Sequence, residues 1–546
     1  MRLFRRSDLA ALVVCCLFAA PAAADHLSEA LAAQLATGAG QMTSERDERD
    51  LAVLDAFYRE RNMATVWVDE TVGVGPTARQ TAEVIADMDR NGLDPRNYGL
   101  DGIRSLMAAS TPEDLAALEI RLSLAVIRLA SDLSAGRLEP SKVDPEHYLT
   151  PTGVVPADVI RRAAQAPDVA LFLASFEPQQ DEYRRLRDTL AHYRALAAAG
   201  GWPKVAEGEE TLDPGMTDPR VVQLRARLRA EGDLDPYEDL TAQGGPADFY
   251  DEPLKSALVT FQNRHGLEPD GRVGPATLAA LNVTAEERVD QIMLNMERRR
   301  WMEDDLGRRY VFVNLADFHT KVVDGAKTVF VSRVVIGRPY FRTPVFSKDM
   351  TYVVVNPYWN VTPSIARNEL LPKIKEDPGY LAAHNYELLS GWSEEAVPLD
   401  PRSIDWSTVS KSSFGYKIRQ RPGEGNALGR VKFMFPNSHN IYMHDTPSKS
   451  LFNKYERTFS HGCIRVHKPR EFAEVVLASQ GWSREKIDAA IASEQSQVIS
   501  LAEALPVHIT YLTAWTNKDG TVHFRDDVYG RDKTLKAALL GPGVSL

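Results

Sequence analysis

The sequence predicts a multidomain α+β chain: a helical N-terminal region, a small three-helix module, and a mostly β C-terminal domain with a helical and loop insertion. Three observations carry this expectation. The chain has 546 residues, more than one hydrophobic core usually serves. Apolar residues recur at helical spacing up to about residue 200. From Tyr310 onward, runs rich in β-branched and aromatic residues replace that period. A composition of 44% hydrophobic and 25% charged residues excludes a mostly disordered or multi-span membrane chain. Lys+Arg of 64 against Asp+Glu of 75 gives a net charge of −11, which argues against a nucleic-acid partner.

Residues 1–24 read as a secretory signal peptide. Arg2, Arg5 and Arg6 precede an apolar run from Leu9 to Ala20, and Pro21-Ala22-Ala23-Ala24 supplies a small-residue cleavage site. The run is too short to span a bilayer comfortably. Arg5-Arg6 hints at twin-arginine export, but Asp8 sits badly in that pattern, so general secretion is expected. Lipidation at Cys15 would need small residues where Val13-Val14 stand. Cleavage would remove Cys15 and Cys16 and leave Cys463 as the one cysteine. An exported protein with a lone thiol cannot form an internal disulfide, so that thiol is buried or used.

Residues 25–205 read as a helical scaffold. Ser44 opens a helix carrying Leu51, Leu54, Phe57 and Tyr58, another ends at Gly92, and Thr111-Pro112 opens a third that stops near Gly136. Residues 200–216, rich in Gly, Pro and acid, read as a linker. A module over 210–282 has helices opened by Asp218-Pro219, Pro253 and Pro275. A connecting helix fills 283–305, and the β-rich domain spans 306–546. Its expected strands include 310–314, 328–331, 351–355, 507–515 and 521–524, with a hairpin turn at Asp324-Gly325. An insertion over about 364–430 has the character of a lid, with a helix at 368–375. Helices are expected at 471–479 and 483–493.

The chemistry concentrates in Tyr442-Met443-His444-Asp445 and Ser460-His461-Gly462-Cys463-Ile464-Arg465. A thiol is only partly ionised at neutral pH, and an imidazole that accepts its proton makes the nucleophilic thiolate. Gly462 lets backbone N–H groups approach a substrate carbonyl and its oxyanion. Cysteine, histidine and a tight glycine turn are the minimal kit for acyl transfer. An inert core cysteine is the bland alternative. Zinc on His439, His444, His461, Cys463 and His467 is a third, opposed by the lack of paired-cysteine or H-E-x-x-H spacing. Either His444 or His461 is close enough in sequence to act as the base.

Two resemblances sharpen these readings. Phe261, Gln262, Gly266, Leu267, Asp270, Gly271, Gly274 and Thr277 match the pattern of the small peptidoglycan-binding module. The segment from His444 to Ser460-His461-Gly462-Cys463, with sixteen residues between the two histidines, resembles the catalytic motif of the L,D-transpeptidases. Its flanks fit as well, in Ile336-Gly337-Arg338 to Thr343-Pro344, Asn356-Pro357-Tyr358-Trp359 and Ile509-Thr510-Tyr511. Arg465 is a departure, standing where a frequent form of the motif has Asn.

The resemblance implies an exported, periplasmic, carbapenem-sensitive enzyme of cell-wall biogenesis that uses no cofactor or metal. Cys463 would be the nucleophile and His444 the base, oriented by a backbone carbonyl. Gly462 would help hold the oxyanion, and Tyr442, Ser460, His461 and Arg465 would contact substrate. Peptidoglycan tetrapeptide stems would be donor and acceptor in 3→3 cross-linking, with cell-wall synthesis proteins as possible partners. Hydrolysis of the same stems, or a non-catalytic wall-binding scaffold, are the alternatives.

Overall fold

The computed structural model describes residues 26–38, 44–237, 239, 241 and 244–540. The 1–24 segment and its two cysteines lie outside them. The described chain forms two compact units. The first comprises the described residues up to Asp89, Leu93–Ser131 and Val154–Phe176; the second comprises Arg90–Gly92, Asp132–Gly153 and the described residues from Glu177 onward. Among the described residues, no helix is long and apolar enough to cross a membrane.

The first unit is helical. Ser44 caps Glu45–Glu60 through its side chain, as its position before an acidic first turn suggests. Pro112–Ala135 buries Leu118, Leu122, Val126 and Leu129. Its Glu119 is fully buried and accepts from the Tyr58 hydroxyl and from the backbone of Val66, Trp67 and Val68.

In the second unit, helices Arg220–Ala230, Glu252–Arg264 and Pro275–Leu281 enclose Leu224, Leu228, Leu258 and Phe261. Gln262 bonds Asp270 Oδ1, the Arg272 carbonyl, Thr277 Oγ1 and the Gly271 N–H. The recurring residues of the module's pattern therefore stitch a turn together. The expected linker is not free chain: Val205 and Leu212 are buried in this core. Its Gly and acid content concealed two apolar anchors.

The β-rich domain is built on nine strands: β1 (Arg309–Asn314), β2 (His319–Asp324), β3 (Lys327–Gly337), β4 (Phe346–Val355), β5 (Val431–Met434), β6 (Met443–His444), β7 (Thr458–Ser460), β8 (Ile464–Val466) and β9 (Gln497–Thr510). Their order is β7-β3-β8-β6-β5-β4-β9-β1-β2, and β3 also pairs with β2, so the sheet closes on itself. Val313, Val334, Val353, Phe433, Met443, Ile464 and Ile509 share its core. Helices Pro469–Leu477 and Arg484–Ala492 contribute Phe472, Val476 and Ile487 to it. β9 starts ten residues before its expected start at 507. Its first half is mostly exposed and is broken by a register shift between Ser500 and Leu505. It also ends at Thr510, and Ala514–Thr516 forms a separate hairpin with Val522–Phe524.

The insertion has its own four-stranded sheet of Trp359–Asn360, Lys417–Gln420, Tyr386–Leu389 and Pro398–Leu399. It begins at Trp359, ahead of the expected 364, and has its own core of Val361, Ile374, Leu388, Trp406 and Ile418. The expected helix is a π-turn over Ala366–Leu370 running into Leu371–Glu376. Pro372 has no N–H to give an α-type bond there. Asn356 anchors the entry: at φ 49° its Nδ2 donates to the carbonyls of Ala490, Ile491 and Gln495 at 3.0, 3.1 and 3.2 Å. Asn356→Ala is expected to lower the unfolding free energy by about 1–3 kcal/mol in urea titrations, since three carbonyls, that of Ile491 buried, lose their donor.

Candidate active site

The short β6 sets the geometry. It pairs in parallel with β8, Met443 opposite Ile464 and His444 opposite Arg465, and the Ile464 N–H donates to the Tyr442 carbonyl at 3.0 Å. On its other side, β5 pairs antiparallel, with Lys432 opposite His444. Side chains alternate along a strand. With Met443, Ile464 and Phe433 in the core, Tyr442, His444, Arg465 and Lys432 project to the opposite face. Cys463, one residue before Ile464, leaves the chain beside Tyr442 on that same side.

His444 is 4% exposed. Its Nδ1 is bonded to the Asp445 carbonyl, an oxygen that can only accept, so the neutral ring carries its proton on Nδ1 and its lone pair on Nε2. Burial, followed by the Arg465 charge, pushes its pKa down to about 3. Asp445 is itself held, accepting from the Arg430 N–H at 2.8 Å and the Thr446 N–H at 2.7 Å and pairing with Lys449.

Cys463 is half-buried, and its thiol donates to the Asn440 carbonyl at 3.6 Å. Burial raises its pKa; the Tyr442 backbone and hydroxyl, then Lys432 and Arg465, pull the other way without prevailing. The same burial, with the neighbouring thiol, pushes the Tyr442 phenol well up. The Tyr442 and His444 rings lie 5.6 Å apart on this face.

Glycine at 462 is required, because φ is +111° there. Its N–H donates to Ser460 Oγ at 3.1 Å, and its carbonyl accepts from Thr343 Oγ1 at 2.8 Å. Thr343 Oγ1 also takes the Gly337 N–H at 3.0 Å, and a Cβ on Gly337 would lie 1.9 Å from the Phe341 carbonyl oxygen. The Ile336–Thr343 flank is therefore a brace under the cysteine turn.

Two sequence expectations need correction here. Ser460 does not line the cleft: it is 2% exposed, and its hydroxyl donates to the Cys463 carbonyl at 2.6 Å while accepting from Gly462. Its role is to shape the turn. The Gly462 N–H, being engaged by Ser460, is not free for an oxyanion; among the described residues no acceptor meets the Cys463 N–H. His461 turns from the thiol toward the insertion, with Nε2 at 2.7 Å from Glu369 Oε1 and its ring 4.8 Å from Phe341. Of the two candidate bases, His461 has its Nε2 against Glu369, whereas His444 has its Nδ1 engaged by the Asp445 carbonyl and its Nε2 unengaged among the described residues.

Lys432 and Glu369 were missed by sequence reasoning, since each reaches the site only through strand pairing or the insertion; Thr343 stood in a matching flank but was given no role. Tyr148 was missed as well: its N–H donates to the Val345 carbonyl, and its ring stacks at 3.9 Å on His439, next to Asn440. Among the described residues no cluster of metal-ligating side chains forms.

His444 and His147 both have pKa values lowered by burial from 6.5 to about 3. The unfolded chain therefore binds protons that the folded chain excludes between pH 6.5 and 3, and stability is lost as pH falls through that window. Urea midpoints are expected to drop steadily from pH 7 to 4, with a shallower slope in His444→Gln.

Residues 308–500 match the family described as "L,D-transpeptidase catalytic domain", 217–281 the "Putative peptidoglycan binding domain" and 52–190 the "Scaffold domain". A curated relative from Haemophilus influenzae, named "Putative L,D-transpeptidase", is 35% identical over 248 residues, which is 45% of this chain and 49% of the relative. The chain thus spans about half the length of that relative. Among solved structures, the L,D-transpeptidase from Mycobacterium smegmatis is 11% identical, covering 37% of this chain and 58% of that one at a TM-score of 0.18. That from Stackebrandtia nassauensis is 14% identical, covering 58% and 99% at a TM-score of 0.20. By its matched segments, this chain carries an L,D-transpeptidase catalytic domain preceded by scaffold and peptidoglycan-binding-type domains.

Proposed function

We propose that the chain is an exported, periplasmic L,D-transpeptidase that joins peptidoglycan stem peptides by 3→3 cross-links through a thioester on Cys463. The observation that supports this most is the placement of Cys463 and a neutral His444, Nε2 unprotonated, on one face of the sheet. A neutral imidazole can take a thiol proton; an imidazolium cannot.

In this mechanism His444 Nε2 accepts the Cys463 proton as Sγ attacks the carbonyl of the third residue of a donor tetrapeptide. The Cys463 N–H, with the Tyr442 hydroxyl close by, supports the oxyanion. The carbon–nitrogen bond breaks, the imidazolium protonates the departing amine, and D-alanine leaves a thioester. A side-chain amine of an acceptor stem then attacks the thioester carbon, gives its proton to His444, and frees the thiol. The 217–281 module would hold the enzyme near its polymer.

Purified protein incubated with tetrapeptide muropeptide is expected to give cross-linked dimers and free D-alanine. Cys463→Ser is expected to abolish both, and His444→Ala to slow acylation by about 10²–10⁴-fold. Tripeptide monomers without dimers would instead mean hydrolysis. An unchanged product pattern in Cys463→Ser would refute the assigned nucleophile.

A further inference from the structure

Lys432 takes no part in the steps above, yet it faces the same site. Its position pairs with His444 across β5 and β6, and its ammonium lies 3.9 Å from the Tyr442 ring centroid. Arg465 occupies the mirror position, paired with His444 from β8. The two backbones therefore flank His444 at about 10 Å, two strand spacings, within reach of two long side chains converging on one ligand.

Neither cation has an acidic partner among the described residues. The acids nearby are committed: Asp445 to Lys449 and the Arg430 N–H, Glu369 to His461. Arg465 Nε is buried and has no acceptor among the described residues. Burial lowers the pKa of both cations, and the only opposing influence is the Cys463 thiol. Partly buried cations without a counter-ion are costly. A site that keeps two of them beside a neutral thiol and a neutral imidazole is built to receive an anion.

We propose that Lys432 and Arg465 form a cradle for the C-terminal carboxylate of the donor peptide's leaving residue. This rests on the acyl-transfer reading of Cys463. In such a donor the carboxylate sits on the carbon next to the scissile nitrogen. Seating the scissile carbonyl at Sγ therefore brings the carboxylate within reach of the cations around His444. The paired cations then aim the leaving nitrogen at His444 Nε2 and select donors that end in a free acid. The Tyr442 ring holds the Lys432 ammonium in place. Lys432 thereby becomes a specificity-determining residue rather than a tuner of the thiol.

The test compares a tetrapeptide donor ending in free D-alanine with one ending in D-alaninamide. Acylation of Cys463 is followed by intact mass in the wild type, Lys432→Met and Lys432→Arg. The wild type is expected to prefer the acid by about tenfold or more, the value of one charge-assisted bond. Lys432→Met is expected to lose most of that preference through KM for the acid, leaving the amide within about twofold, and Lys432→Arg to restore it. Equal losses on both donors, or a wild type indifferent to amidation even if Lys432→Met does not fold, would overturn the cradle. A wild type acylated by neither donor would overturn the acyl-transfer reading, and the cradle with it.

Discussion

A two-residue parallel pairing, Met443 with Ile464 and His444 with Arg465, places the reactive groups. It buries Met443 and Ile464 in the core and so obliges His444, Arg465, Tyr442 and Cys463 to share the other face. A one-residue slip would turn the imidazole into the core and a methionine toward the thiol. Parallel neighbours cannot be joined by a tight turn and need a crossover of a dozen or more residues. The nineteen residues between His444 and Ile464 are that crossover, which is why the histidine and the cysteine turn lie so far apart in sequence. The Thr343 brace and the Ser460 bonds then fix where the thiol leaves the backbone.

The electrostatics of this face favour a resting state without charge on Cys463 and His444. Burial raises the Cys463 thiol and drives the His444 imidazole down to about 3. Two cations, Lys432 and Arg465, stand beside them and both disfavour a charged imidazole. The pair is therefore a thiol and an imidazole, not a preformed thiolate–imidazolium. In the proposed reaction, proton transfer waits for the moment of attack, when the developing negative charge can be met by hydrogen-bond donors. The His461–Glu369 contact ties the cysteine turn to the insertion.

Much of this was legible in the sequence because it is local. Helix starts marked by Ser44, Pro112, Pro253 and Pro275 follow capping and proline chemistry. The module's pattern is a turn written in glycine, aspartate and glutamine. The cysteine turn is equally local, as φ +111° at Gly462 requires. What was not legible depends on partners distant in sequence. Lys432 looks like one more surface lysine until β5 pairs with β6. Ser460 reads as a polar lining residue until its hydroxyl is seen to close the turn. Val205 and Leu212 are lone apolar residues in a polar stretch, and only the module's core gives them a purpose. The insertion's sheet was hidden because its strands are short and joined by loops richer in turn residues than in any period.

The most direct measurement of the central claim is the pH dependence of Cys463 alkylation by iodoacetamide, with Cys463→Ser as the blank. A neutral thiol beside a neutral imidazole requires a single inflection above the ordinary thiol value of 9.0, with no step near pH 6. A plateau of full reactivity extending down through pH 6 would reveal a resting thiolate–imidazolium pair and contradict the account.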